Sequence, residues 1–144
     1  MKHRTFLVAG ALVAISMGTA ALAIPAGAAT NAPVVVACTS LKGGLTGAST
    51  ITGCNNTPTT GGSGTVTAAI PKITIKWKSG KTSTGTESYV PVSPSKCPTG
   101  FSTEVKTTAK ITGGTATTLV GGTGISYVCV GKTIENLPGT KANF

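Results

Sequence analysis

Three glutamates, Glu87, Glu104 and Glu135, and one histidine, His3, are the whole supply of carboxylates and imidazoles in these 144 residues; there is no aspartate. A Ser-His-Asp or Cys-His site needs an imidazole beside its nucleophile, and His3 sits in a segment expected to be removed. Glycoside hydrolysis needs two acids flanking one bond. Glu104 falls on the polar side of an alternating run, and the expected hairpin register sets Glu87 opposite Lys72, so both read as solvated surface charge. Ser93-Pro94-Ser95-Lys96 matches the S-x-x-K nucleophile motif. That serine must open a helix, whereas Pro94 and Pro98 place this one in a loop. Gly80-Lys81-Thr82 and Gly131-Lys132-Thr133 end like phosphate loops, but the earlier glycine is replaced by Ile75 and Ser126. The sequence therefore predicts no enzyme, no catalytic residue, no metal and no cofactor.

The cysteines do carry a signal. Cys38, Cys54, Cys97 and Cys129 form an even set with no C-x-x-C pair and no nearby histidine to complete a zinc site. In an exported chain that set reads as two disulfides. Four cysteines allow three connectivities, and proximity in sequence favours Cys38–Cys54 with Cys97–Cys129.

Charge points to a class of partner. The chain carries 12 Lys and Arg against 3 acids, for a net charge of +9. Lys2 and Arg4 lie in residues 1–29; without them ten lysines face three glutamates, leaving +7. Lys72, Lys76 and Lys78 share one face of a strand pattern, and Lys81 follows the turn. Such a stripe can attract an anionic cell-envelope polymer, and it equally keeps an edge soluble and unpaired. Specific nucleic-acid recognition is not expected. The mature chain has no arginine for bidentate base contacts, and few aromatics for stacking.

The elements that must position these groups are strands. Ile73, Ile75 and Trp77 alternate with Lys72, Thr74, Lys76 and Lys78. Phe101, Thr103, Val105, Thr107, Ala109 and Ile111 alternate with Ser102, Glu104, Lys106, Thr108 and Lys110. Period two marks half-buried strands, and threonine suits that pleated surface. Trp77 shares its side with isoleucines and is expected in the core. Trp77-Lys78-Ser79-Gly80-Lys81-Thr82 reads as a hairpin with a two-residue Ser79-Gly80 loop. Ile51-Thr52-Gly53 followed by Gly61-Gly62-Ser63-Gly64 is echoed sixty positions later by Ile111-Thr112-Gly113 and Gly121-Gly122-Thr123-Gly124, as two related β units would produce.

At the start, Met1-Lys2-His3-Arg4 is followed by an uncharged stretch, Thr5 to Ile24, and then by Pro25 and small residues. This is the layout of a secretory signal peptide. Ala26-Gly27-Ala28 fits the cleavage pattern; Ala29 and Ala23 are alternative ends. The expected organisation is a helical signal peptide over 1–29 and one β domain over 30–144. That domain is an all-β antiparallel sandwich or barrel of about seven to eight strands, with no transmembrane segment in the mature chain.

Cys38-Thr39-Ser40-Leu41-Lys42-Gly43, Ile51-Thr52-Gly53-Cys54-Asn55-Asn56, Ile75-Lys76-Trp77-Lys78-Ser79-Gly80-Lys81-Thr82 and Lys96-Cys97-Pro98 resemble landmarks of small exported Thr/Gly-rich β proteins of actinobacteria with four cysteines. The resemblance spans most of the mature chain. It implies export and a disulfide-stapled β fold, and brings no functional residue with it. In size, composition and two-disulfide plan the chain is also similar to exported actinobacterial chromoprotein carriers. Two functions follow as expectations: a secreted non-enzymatic protein binding envelope polymer through Lys72, Lys76, Lys78 and Lys81, or a small-ligand carrier. An apolar cleft would favour the carrier, and a solid core under a lysine face would favour the polymer binder.

Overall fold

The structure, a computed structural model, describes residues 32–44 and 47–144. The signal peptide expected over 1–29 lies outside the described residues. Nine strands follow one another: β1 Ala37–Gly44, β2 Ala48–Cys54, β3 Ser63–Ala69, β4 Lys72–Trp77, β5 Thr82–Val92, β6 Phe101–Gly113, β7 Thr123–Gly131, β8 Thr133–Asn136 and β9 Ala142–Asn143. A four-residue helix, α1 (Thr57–Thr60), joins β2 to β3, and a 3-10 turn at Thr117–Leu119 joins β6 to β7.

Each strand from β1 to β8 pairs antiparallel with the next, and β8 returns to β1 through Lys42↔Glu135, Gly43↔Ile134 and Gly44↔Thr133. The sheet thus closes into an eight-stranded barrel, which settles the choice between barrel and sandwich. Closure removes the open edges that a free sheet would expose. The last stave is discontinuous. β8 covers one half of the gap between β7 and β1, and β9 covers the other, pairing Ala37↔Asn143 and Cys38↔Ala142.

The period-two residues point where the alternation demands. Ile73, Ile75 and Trp77 on β4, Ala109 and Ile111 on β6, and Ile51 on β2 are buried inside the barrel. Trp77 donates its indole Nε1–H to the buried Ser83 Oγ at 2.9 Å, satisfying the one polar atom a buried tryptophan carries. These large residues crowd one end. There the β2–β3 and β6–β7 connections add Thr60, Ala116 and Leu119, all fully buried. The Thr59 and Thr118 hydroxyls meet at 3.4 Å and join the two connections across the end. This end is closed.

The sixty-residue echo lies in those same two connections. β2–β3 and β6–β7 are hairpins four staves apart, on opposite sides of the barrel, and both bring their loop to the closed end. The cysteines do not follow the echo. Cys38–Cys54 ties β1 to β2 near the closed end, while Cys97–Cys129 ties the β5–β6 loop to β7 at the other.

The β4–β5 hairpin differs from expectation by one residue, with large consequences. Trp77 pairs with Lys81, not Thr82: its N–H donates to the Lys81 carbonyl at 2.9 Å, and its own carbonyl accepts the Gly80 N–H at 3.0 Å. The loop is therefore three residues, Lys78-Ser79-Gly80, a type I turn closed by a glycine at positive φ, here +86°. Ser79-Gly80 satisfies either turn type, so residue identity alone does not separate them. The slip sets Lys72 opposite Thr86. Because side chains alternate between faces, a one-residue slip sends Glu87 inward. Glu87 is not paired with Lys72, and it is not on the solvated face.

Glu104 also departs from expectation. It does point to the outer side of β6, but it is only 2% exposed. The loop of residues 93–100 covers it, and its Oε2 accepts the Lys96 backbone N–H at 2.6 Å. Cys129, directly opposite Glu104 on β7, anchors that loop through Cys97. Of the three acids only Glu135 is an exposed charge, 3.8 Å from Lys42. Such an exposed pair contributes at most about 1 kcal/mol.

Candidate functional site

At the end of the barrel opposite the plug, β1 to β3 contribute small residues. Gly44 on β1, Gly47 and Ser49 around the start of β2, and Ala68 on β3 face the interior there. Val66 on β3, Thr103, Val105 and Thr107 on β6, Val128 and Val130 on β7, and Ile134 on β8 complete an apolar wall. These side chains do not meet across the barrel. They leave a cavity of about 490 Å³, with Phe144 and Leu41 also on its wall. Eight staves give an interior just wide enough to be filled by side chains or to hold one small ligand, and here the two ends take one solution each. The volume lies within the roughly 300–1,000 Å³ typical of small-molecule sites.

Glu87, Tyr89 and Pro91 are successive inward positions of β5, running from the cavity wall up to the open rim. Tyr89 and Ile70 stand at the mouth, 52% and 58% exposed. Glu87 lies two residues deeper than Tyr89, about 7 Å along the strand at ~3.4 Å per residue. Its path inward is set by β5 itself. A bulge between Thr84 and Gly85 bends the strand against β6. A Cβ on Gly85 would collide with the Lys110 carbonyl oxygen, so only glycine allows that approach.

Among the described residues, Glu87 is the only charged side chain on the cavity wall and Tyr89 the only other titratable one; no lysine lines it. The Glu87 carboxylate makes neither a side-chain hydrogen bond nor an ion pair with any described residue, while its backbone N–H donates to the Pro71 carbonyl at 2.7 Å. Burial pushes its carboxyl above the ordinary 4.5, because low-dielectric surroundings penalise the charged form. The native state then binds the proton more tightly than the unfolded chain. Stability contributed by that proton is present below the ordinary value and is lost as pH rises through the raised one. Glu87→Gln is accordingly expected to melt above the wild type at pH 7, with the difference closing below pH ~4. Thermal melts of both proteins across that range check it; a variant less stable at pH 7 would contradict the assignment of Glu87 to a half-buried, unpaired position.

The four lysines of the expected anion-binding face are all exposed. Lys72 and Lys76 lie on the outer face of β4, whereas Lys78 and Lys81 belong to the hairpin turn at the closed end. Lys110 and Lys106 on the outer face of β6, absent from that expectation, extend it. Lys72 and Lys110 both sit opposite Thr86, one on each side of β5. Strand order, which the sequence does not display, makes them neighbours in one row.

Ser93-Pro94-Ser95-Lys96 runs through the loop of residues 93–100 with no helix at the serine. Among the described residues there is no cluster of three metal-ligating side chains. No helix there is long and apolar enough to cross a membrane.

The fold and its cavity define a closed, up-and-down antiparallel barrel, plugged at one end and hollow at the other. No family model matches the chain, and comparisons with curated proteins and with solved structures found no match.

Proposed function

We propose that this chain is an exported, non-enzymatic carrier that holds one small, largely apolar molecule in the open-ended barrel. The 490 Å³ apolar cavity supports the reading. A barrel of this width can fill itself with side chains, as its other end does, and leaving half of it hollow forgoes the dispersion contacts that a packed interior supplies. Two disulfides and no free cysteine suit an oxidising compartment, in keeping with the leader expected over 1–29.

Titration of the mature protein with the neutral probe N-phenyl-1-naphthylamine tests this. The expected result is a saturable fluorescence rise with one site per chain and micromolar affinity. A linear, non-saturating response would overturn the reading.

A second reading, binding of anionic cell-envelope polymer, is favoured by the Lys72–Thr86–Lys110 row and by the lack of an acid on the outer faces of β4 and β5. If it holds, retention on an anionic polymer falls steeply with salt, since exposed charges are screened over about 10 Å at ~0.1 M. Lys76→Gln with Lys78→Gln weakens retention more than Lys141→Gln does. Equal weakening by all three substitutions means that net charge alone acts.

A further inference from the structure

Among the described residues the cavity has one charged side chain, and its surroundings restrict what can share the space. Glu87 is held by β5 on a wall otherwise made of aliphatic and aromatic side chains, Ser49, two threonines and two glycines, with Tyr89 two residues above it at the mouth. Among the described residues it has no lysine or other side-chain donor as partner. In the open cavity, water can solvate the carboxylate. A bound molecule displaces that water, and the class of molecule decides the consequence. A neutral apolar ligand can bind, but it leaves the carboxylate without a partner or makes it take up a proton, and either costs part of the affinity at pH 7. A carboxylate or phosphate adds like-charge repulsion at close range. A cationic nitrogen replaces the lost water with a charge-assisted hydrogen bond, which offsets the desolvation of both partners.

Resting on the carrier reading above, we propose that the ligand class is an apolar amine: a molecule with one protonated nitrogen, seated against Glu87, and a hydrocarbon or aromatic body lying along Val66, Val105, Val128 and Ile134. The placement suits such a molecule. Glu87 lies two residues inward of Tyr89 on β5 and beside the β3–β4 turn, whose Pro71 carbonyl accepts its N–H, so the charged end sits just inside the mouth. Space for the apolar body is open on the β3 side and on the β6–β8 side. The exposed lysines of the outer face are not on the cavity wall and do not compete for the carboxylate.

Displacement of N-phenyl-1-naphthylamine by decylamine, decanol and decanoate at pH 7 separates the alternatives, using the wild type, Glu87→Gln and Glu87→Asp. Decylamine is expected to displace the probe at a concentration at least about tenfold lower than decanol, equivalent to ~1.4 kcal/mol, and decanoate to be the weakest. Glu87→Gln brings decylamine to within about threefold of decanol. Glu87→Asp keeps the charge and keeps part of the preference, which guards against a loss of binding by mere disturbance of the wall. If decanol and decanoate displace the probe as well as decylamine does, the amine assignment is overturned while the carrier reading stands. An amine preference that survives Glu87→Gln overturns it in the same way. If none of the three competes and the probe itself does not saturate, both fail.

Discussion

Removing both disulfides is expected to unfold the barrel near 37 °C. The bridges close chain segments of 16 and 32 residues. Loop-closure entropy assigns each about 3–4 kcal/mol of stabilisation through the unfolded chain. A domain of this size has roughly 5–15 kcal/mol in all, so losing two bridges removes from about half to all of it, and the modest core places this barrel toward the lower end. The core is modest: its largest side chains are four isoleucines, two leucines, one tryptophan and one phenylalanine. Cys38→Ser with Cys54→Ser, and separately Cys97→Ser with Cys129→Ser, should each lower Tm by about 10–15 °C. The second pair carries an additional local effect. Freed from Cys129, the loop of residues 93–100 no longer holds the Lys96 N–H over Glu104, leaving a carboxylate that is buried in the native structure without a fixed donor. Circular dichroism melts of the two pairs and of reduced wild type measure this. Unchanged melting after reduction would contradict the role assigned to the bridges.

Filling the cavity is the other large expected effect. Val105 sits midway along the β6 wall, between Thr103 and Thr107, and faces the hollow. Val105→Trp places an indole in space that the wild type leaves empty. Inserting bulk into a packed core usually costs about 1–3 kcal/mol, but here the added atoms meet open volume and gain contacts with Val128 and Ile134. The expected outcome is a Tm within a few degrees of wild type and a loss of N-phenyl-1-naphthylamine binding of about 100-fold or more, equivalent to ~2.8 kcal/mol. Ile111→Trp, at a fully buried position of the same strand near the closed end, is the contrast. There no space exists, and the variant should be destabilised instead. Equal behaviour of the two variants would mean that the two ends of the barrel do not differ as described.

Much of this fold was legible because two strands have chemically distinct faces. On β4, isoleucine and tryptophan alternate with lysine and threonine; on β6, the inward set from Thr103 to Ile111 alternates with lysines and Glu104. Register at a turn was not legible. Lys78-Ser79-Gly80 can close a two-residue or a three-residue loop, and the choice depends on backbone hydrogen bonds that Ser79 and Gly80 permit equally. That single step moved Glu87 from an outer face to the cavity wall. Closure was not legible either, since it rests on pairing Lys42–Gly44 with Thr133–Glu135, nearly the whole domain away in sequence. The burial of Glu104 came from a loop folding over an outward residue, which strand periodicity does not report.

The cavity left only a partial trace in the sequence. On β4 the inward run Trp77, Ile75, Ile73 leads away from the plug, and on β2 Ile51 gives way to Ser49 and then Gly47 before the strand. β5 and β7 run the other way, from Ser83 and Gly85 to Glu87 and Tyr89 and from Gly124 and Ser126 to Val128 and Val130. Inward side-chain size along single strands therefore does not mark the hollow end, which depends on how the eight staves face one another.

The most direct test of the carrier reading is the location of bound probe. Methyl NMR spectra of the mature protein, recorded with and without N-phenyl-1-naphthylamine, show it residue by residue. Shifts are expected to concentrate at Val66, Val105, Val128, Val130 and Ile134. Val90 and Ile125, exposed elsewhere on the barrel, should stay unchanged, as should Ile75 and Leu119 at the closed end. Shifts confined to the outer-face methyls, or no shifts at saturating probe, would contradict a ligand site inside the barrel.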